Sequence, residues 1–143
     1  MSQQIRQKAL DLLARREHSR FELQQKLTRY GFVAADIATV LDELVQQKLL
    51  NDARFTEEYV RMRVRRGFGP LRIREELHER GISTEIITES LFNSNFDWQE
   101  LAKETFLKKF AGKSASSLSD KAAMMRYLQY KGYDFAVIKQ VFK

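Results

Sequence analysis

Six arginines and no acidic side chain occupy residues 61–74 of this 143-residue chain. A guanidinium keeps its charge and donates two parallel hydrogen bonds, so such a run suits phosphate groups or the carboxylates of a protein partner. On a helix, Arg54, Arg61 and Arg65 share one face within about 40°, although a merely solvated face is the alternative interpretation. The arginines that we predict to contact a partner are Arg54, Arg61, Arg65, Arg66, Arg72 and Arg74.

Arg63 belongs to the same run but has different surroundings. On a helix it points between the apolar stripe of Phe55 and Met62 and the apolar pair Val60 and Val64. A half-buried arginine needs a partner for its charge. We therefore predict that Arg63 forms a structural ion pair rather than a contact to a ligand.

Lysines form a second basic cluster at the predicted end of the seventh helix. Lys108 and Lys109 precede residues 112–119, a serine-rich stretch that is typical of a mobile loop, and Lys113 lies within that stretch. Lysines in the last turn of a helix also stabilise its dipole, which is the simpler interpretation of any one of them. We include all three as candidate contacts to an acidic partner.

The side chains needed for catalysis are poorly represented. His18 and His78 are the only histidines, and neither has a second histidine at the spacing of metal ligands. Residues 67–69 form a Gly-Phe-Gly turn without the lysine and serine of a phosphate-binding loop. No nucleophile stands with a matching base. We therefore expect a protein that is not an enzyme, with no catalytic residue, metal or cofactor.

The charge balance favours an acidic partner. The chain carries 25 Lys and Arg against 19 Asp and Glu, a net charge of +6, and residues 98–143 hold most of the excess. A polyphosphate is the commonest acidic partner, although surface charge that aids solubility explains the excess equally well. The chain lacks cysteine, a run long enough to span a membrane and the apolar centre of a signal peptide. We therefore expect a cytoplasmic protein.

One apolar pattern occurs three times, and its copies start 50 and then 51 residues apart. In each copy a glycine lies four positions after a leucine and directly before a large apolar residue. A fixed period of this size is typical of a repeat array that binds along an extended partner. The repeated positions are Leu23, Leu27, Gly31, Phe32, Ile37 and Leu41; Ile73, Leu77, Gly81, Ile82, Ile87 and Leu91; and Met124, Leu128, Gly132, Tyr133, Ile138 and Phe142.

The repeats predict an all-α protein of three tandem three-helix repeats that form an elongated, curved helical array. Each repeated glycine supplies the left-handed cap that ends a second helix, and Ser19 with Glu22 forms a capping box. The predicted repeats cover residues 1–52, 53–97 and 98–143. The predicted helices are 3–16, 20–30, 34–48, 53–66, 70–80, 84–93, 98–110, 120–131 and 135–142.

Longer motifs of the chain point to a known family. They are Leu13-Ala14-Arg15-Arg16-Glu17-His18-Ser19, Leu50-Asn51-Asp52-Ala53-Arg54-Phe55, Gly67-Phe68-Gly69-Pro70 and Gly132-Tyr133. Together they resemble the signature of the RecX family, regulators of the bacterial recombinase RecA. The resemblance is strong over about residues 10–95 and looser in the third repeat. Leu50-Asn51 stands where the family usually has an aromatic residue and an aspartate, and Asn51 can still cap a helix.

The resemblance implies a partner, the RecA filament on single-stranded DNA. Members of the family are understood to lie in the helical groove of that filament and to limit its activity. It therefore implies a regulator that inhibits the recombinase, ATPase and co-protease activities of RecA in DNA repair and the SOS response. We expect this regulator to be a monomer. The alternative that the residues leave open is a stand-alone helical module that binds DNA directly, with steep salt dependence.

Overall fold

The fold is all-α in the computed structural model, which describes residues 2–93, 95–111, 113 and 117–143. Over these ranges nine helices form and there is no strand, as the repeats predict. Every helix end lies within two residues of its predicted position. The helices are α1 (Ser2–Arg15), α2 (Arg20–Arg29), α3 (Ala34–Gln46), α4 (Asp52–Arg65), α5 (Pro70–Glu79), α6 (Thr84–Leu91), α7 (Trp98–Phe110), α8 (Leu118–Lys131) and α9 (Phe135–Val141).

Short polar side chains cap the start of several helices, and glycines follow the ends of α2, α4, α5 and α8. The Ser19 hydroxyl accepts a hydrogen bond from the Glu22 amide while the Glu22 carboxylate accepts one from the Ser19 amide, so the predicted capping box is confirmed. The Asp97 and Asp134 carboxylates cap α7 and α9 by accepting hydrogen bonds from the amides of Glu100 and Val137. The three repeated glycines all adopt positive φ, between 76° and 107°, as predicted for left-handed caps.

The repeated apolar positions are the core of the protein. Leu23 and Leu27 of the first copy, and their counterparts Ile73 and Leu77, have no exposed surface. In the third copy Leu128 is equally buried. The pattern that recurs in the sequence therefore serves packing, and the functional side chains have to be sought among the residues between these positions.

The described residues divide into two compact units. The N-terminal unit comprises residues 1–59 and 77–88, and the C-terminal unit comprises residues 60–76 and 89–143. The boundaries fall inside α4, α5 and α6. Repeat boundaries at 52/53 and 97/98, and the elongated, curved shape of the array, stay predictions.

In the N-terminal unit, α1, α2 and α3 pack against one another around a continuous apolar core. Ten buried residues form it, with Leu10, Leu13 and Phe32 at its edge. In the C-terminal unit, α7 packs against both α8 and α9. Its core is smaller and more aromatic, with Tyr133 among its buried members. Four of the eight residues of the predicted mobile loop, 112 and 114–116, lie outside the described residues, and α8 already begins at Leu118.

Candidate functional site

The end of α4 presents two arginines to solvent. At the end of the helix, the Gly67 amide donates a hydrogen bond to the Val64 carbonyl at 2.9 Å, and the Phe68 amide donates one to the Arg63 carbonyl at 3.1 Å. Gly67 has a φ of 87°, which turns the chain away from the helix axis. Arg65 and Arg66, the last residues before this turn, are both exposed.

The turn after α4 is bonded to the end of α8. The Gly69 amide donates to the Lys131 carbonyl at 2.7 Å, and the Leu71 amide donates to the Gly132 carbonyl at 3.0 Å. The two backbones approach so closely that a Cβ on Gly69 would lie 2.6 Å from the Gly132 oxygen. Only glycine fits at position 69 without displacing the end of α8.

A second set of hydrogen bonds attaches the same turn to Thr105 on α7 and to Tyr133, which follows α8. The Gly67 carbonyl accepts from the Tyr133 hydroxyl at 3.0 Å and from the Thr105 hydroxyl at 3.2 Å. Both side chains are buried, so these bonds are shielded from water. The end of α4, the middle of α7 and the end of α8 are thereby held around one point.

These three elements surround an open groove of about 500 Å³. Cationic side chains dominate its lining, whereas Glu104 is the one acidic lining residue in the described part of the chain. The end of α4 supplies two cations, the last turn of α7 supplies two more, and the end of α8 supplies the fifth. We call this set the basic groove; it consists of Arg65, Arg66, Lys108, Lys109 and Lys131.

Beside the groove, cations cluster around a single aromatic ring. Arg63, Arg72 and Lys131 lie 3.7, 4.5 and 3.8 Å from the centroid of Phe68. Glu76 accepts two hydrogen bonds from Arg63, at 2.8 and 2.7 Å, and one from Arg72 at 3.2 Å. The Arg63 and Glu76 side chains are only 13% and 16% exposed. The predicted structural ion pair of Arg63 is thus present.

Lys131 connects the ring cluster to the basic groove. Its Nζ donates to the Arg66 carbonyl at 3.0 Å, which leaves two further N–H donors on the ammonium. Burial lowers the pKa of Lys131, and the nearby charges of Arg72 and Arg63 lower it further. An anion in the groove would stabilise the charged form of this side chain.

The predicted contact residues fall into three groups: those that line the basic groove, those that lie outside it, and those that form ion pairs within their own unit. Arg65, Arg66, Lys108 and Lys109 meet in the basic groove, although the sequence presents them as two separate clusters. Arg61 is exposed and Arg74 half-buried, both apart from the groove lining. Lys113, beyond the end of α7, is also exposed and outside that lining.

Arg54 and Arg72 are engaged within their own units. Arg54 forms an ion pair with Glu17, which raises the pKa of Arg54, and it also donates to the Lys48 carbonyl at 3.2 Å. Arg72 pairs with Glu76 and donates to the Tyr130 carbonyl at 3.2 Å. Contact with a partner would have to compete with these bonds, so both are weaker candidates than the groove residues.

Sequence reasoning missed Lys131 and Phe68 as parts of the site. Lys131 directly precedes a glycine that ends a helix, and a lysine at such a position is usually interpreted as stabilising the helix dipole. Phe68 reads as an ordinary apolar turn residue. The local signal for Phe68 was its position between Gly67 and Gly69, which allows the backbone to turn tightly on both sides of the ring.

The residues that the structure describes contain no group of three or more His, Cys, Asp or Glu side chains that could hold a metal ion. Among the same residues no helix has the length and apolar character needed to cross a membrane.

Family models match all three parts of the chain. A model of the first three-helix domain of RecX matches residues 6–44, one of the second matches residues 51–91, and one of the third matches residues 97–142. The second and third ranges contain three helices each, and the first covers α2 with most of α1 and α3. The chain therefore has the domain order of RecX proteins.

Similar full-length proteins agree with these models. A regulatory protein RecX of Ectopseudomonas mendocina (strain ymp) is 41% identical over 139 residues, which is 97% of this chain and 93% of that protein. A regulatory protein RecX of Pseudomonas savastanoi pv. phaseolicola (strain 1448A / Race 6) is 42% identical over 134 residues, which is 94% of this chain and 86% of that protein.

The fold has been seen in crystals as well. The crystal structure of RecX from Lactobacillus salivarius matches 99% of this chain and 94% of its own, with a TM-score of 0.81 at 21% identity. At this identity the likeness concerns the fold. Taken with the family models and the full-length relatives, it leads to one assignment: the chain belongs to the RecX family of non-enzymatic regulatory proteins, which modulate the RecA recombinase.

Proposed function

We propose that this protein inhibits RecA by lying along the RecA filament on single-stranded DNA and contacting it through the basic groove. The convergence of five cations from three helix ends supports this proposal. A filament of protein on DNA offers both phosphates and carboxylates, the two anions that guanidinium and ammonium groups bind.

The three repeats would allow the protein to contact the filament at more than one place. A monomer with three helical domains would meet successive RecA protomers, and simultaneous weak contacts raise the overall affinity without any strong single one. Bound in this way in the bacterial cytoplasm, the protein would reduce filament growth, ATP hydrolysis, strand exchange and the co-protease activity that starts the SOS response.

A paired charge reversal tests the role of the groove. Lys108→Glu with Lys109→Glu reverses two groove cations, whereas Lys103→Glu with Lys139→Glu makes the same change of net charge at exposed lysines outside the groove. Added to preformed filaments at stoichiometric amounts, the control should still slow ATP hydrolysis and strand exchange, and the groove variant should not. Equal inhibition by both variants would place the contact elsewhere.

A stand-alone DNA-binding module is the second candidate, and the net charge of +6 favours it. It predicts tight binding to bare DNA that falls steeply with salt, because each phosphate contact releases counterions. Negligible affinity for bare DNA at moderate salt, with filament binding retained, would reject this candidate and leave the filament proposal intact.

A further inference from the structure

The basic groove carries more positive charge than its surroundings neutralise. Its lining has five cations and, among the described residues, only the carboxylate of Glu104. The carboxyl ends of α4, α7 and α8 lie beside it, and each contributes about half a negative charge. Roughly two to three positive charges remain, which a ligand with consecutive phosphates would neutralise.

The size of the groove suits an extended anion. Its volume of about 500 Å³ lies within the range of ~300–1,000 Å³ that small-molecule sites occupy. Arg65 and Arg66 stand on the α4 side, and Lys108 and Lys109 stand on the α7 side. Cations on both sides can contact a row of two or three phosphates at the same time.

An aromatic ring also lines the groove. Tyr127 is half-buried, and Phe110 meets its ring edge-on with the two centroids 5.5 Å apart. Lys109 Nζ lies 5.4 Å from the centre of the same ring. A packed ring next to cations is the arrangement on which nucleobases stack, and a ligand that carried only carboxylates would not use it.

We propose that the basic groove is a binding site for the phosphates of a nucleotide, held by its arginines and lysines, with the base against Tyr127. This inference rests on the proposed filament contact and gives that contact its chemistry. Two sources share this chemistry: the backbone of single-stranded DNA and a free nucleoside triphosphate. If both bind, free nucleotide competes with the filament for the protein.

Calorimetric titration with four probes tests the assignment. The probes are ATP, inorganic triphosphate, a short oligothymidylate and a polyglutamate peptide. On the parent protein and on the Lys103→Glu/Lys139→Glu control, the three phosphate probes should bind and the peptide should not. The Lys108→Glu/Lys109→Glu variant should bind each phosphate probe with an affinity that is lower by at least about tenfold.

Two further measurements address Tyr127 and Lys131. Tyr127→Leu should weaken ATP about tenfold and leave inorganic triphosphate unchanged, since only ATP has a base to stack. In the unaltered protein, NMR titration of the lysine Cε carbons should show that ATP raises the pKa of Lys131. This second readout needs no substitution, so it holds even if the Tyr127 variant fails to fold.

The outcomes separate this inference from the proposed function. Binding of the oligothymidylate alone assigns the groove to the nucleic-acid backbone, and binding of ATP alone assigns it to the free nucleotide; both support a phosphate site. Binding of polyglutamate without any phosphate probe overturns the inference while leaving inhibition of RecA possible. The groove variant could also lose phosphate binding and still inhibit RecA as the parent does. That result would overturn the proposed filament contact through the groove, and it would support the phosphate site.

Discussion

The Gly69 amide donates a 2.7 Å hydrogen bond to the Lys131 carbonyl, joining the turn after α4 to the last residue of α8. The residues lie 62 positions apart in the chain. Lys131 in turn donates from Nζ to the Arg66 carbonyl. This pair of bonds places Arg66 of the middle repeat beside Lys131 of the third.

Gly69→Ala should destabilise the protein. The new Cβ would stand 2.6 Å from the Gly132 carbonyl oxygen, which is backbone and cannot rotate away. We expect a loss of about 2–3 kcal/mol in the free energy of unfolding, measured by urea denaturation. Gly31→Ala is the control, because Gly31 lies in the N-terminal unit and has open space around it. The new side chain should strain the positive φ at residue 31 without a steric clash, and it should leave phosphate binding unchanged. A Gly69 variant as stable as the parent would contradict the close approach.

Arg63→Ala should lower stability, whereas Arg61→Ala should not. The first change removes two hydrogen bonds to Glu76 and the cation over Phe68, at an expected cost of about 2–3 kcal/mol. Arg61 is exposed on the same helix, so its removal should stay within about 0.5 kcal/mol. Thermal melting of the two variants side by side checks the prediction; a reversed order would show that Arg63 is not structural.

Tyr133→Phe should cost about 1 kcal/mol, because the Gly67 carbonyl loses one of its two side-chain donors. Adding Thr105→Val removes the second donor and leaves that carbonyl without either bond. The double variant should therefore lose more than the sum of the single changes. Tyr30→Phe removes a hydroxyl from an exposed ring and serves as the control. Strict additivity in urea denaturation would argue against a shared acceptor.

Stability should fall as the pH drops from 7 towards 5. His18 is buried, its Nδ1 donates to the Arg16 carbonyl at 3.0 Å, and its Nε2 accepts from Lys26 Nζ at 2.8 Å. Burial lowers the pKa of His18 from its ordinary 6.5, and the charges of Arg16 and Lys26 lower it further. Below the ordinary value the unfolded chain takes up a proton that the folded chain resists, so acid favours unfolding.

Urea denaturation at several pH values measures this loss. His18→Gln removes the titrating ring, so its stability should depend less on pH in this window than that of the parent. His78→Gln removes the exposed histidine and keeps His18, so the acid-side loss should persist. An identical pH profile in the parent and the His18 variant would show that another group is responsible.

The helices and their ends could be predicted from the sequence because their causes are local. A glycine that allows positive φ, a serine with a glutamate three residues on, and an apolar spacing of three and four act within one or two turns. The same locality explains the correct assignment of Arg63: its neighbours on the helix are apolar, so burial and an ion pair follow from the helical period alone.

The basic groove could be recognised only from the tertiary structure. Arg65 and Lys108 lie far apart in the chain, and nothing in either local pattern indicates that they line one surface. The sequence by itself determined which residues the core would claim, but it did not indicate that Lys131 lies with Arg65 and Lys108 or that Arg54 and Arg72 are engaged in ion pairs. Packing decided the rest, because backbone bonds from Gly69 to Lys131 and side-chain bonds to the Gly67 carbonyl join the end of α4 to α7 and α8, from which two other helices separate it in the sequence.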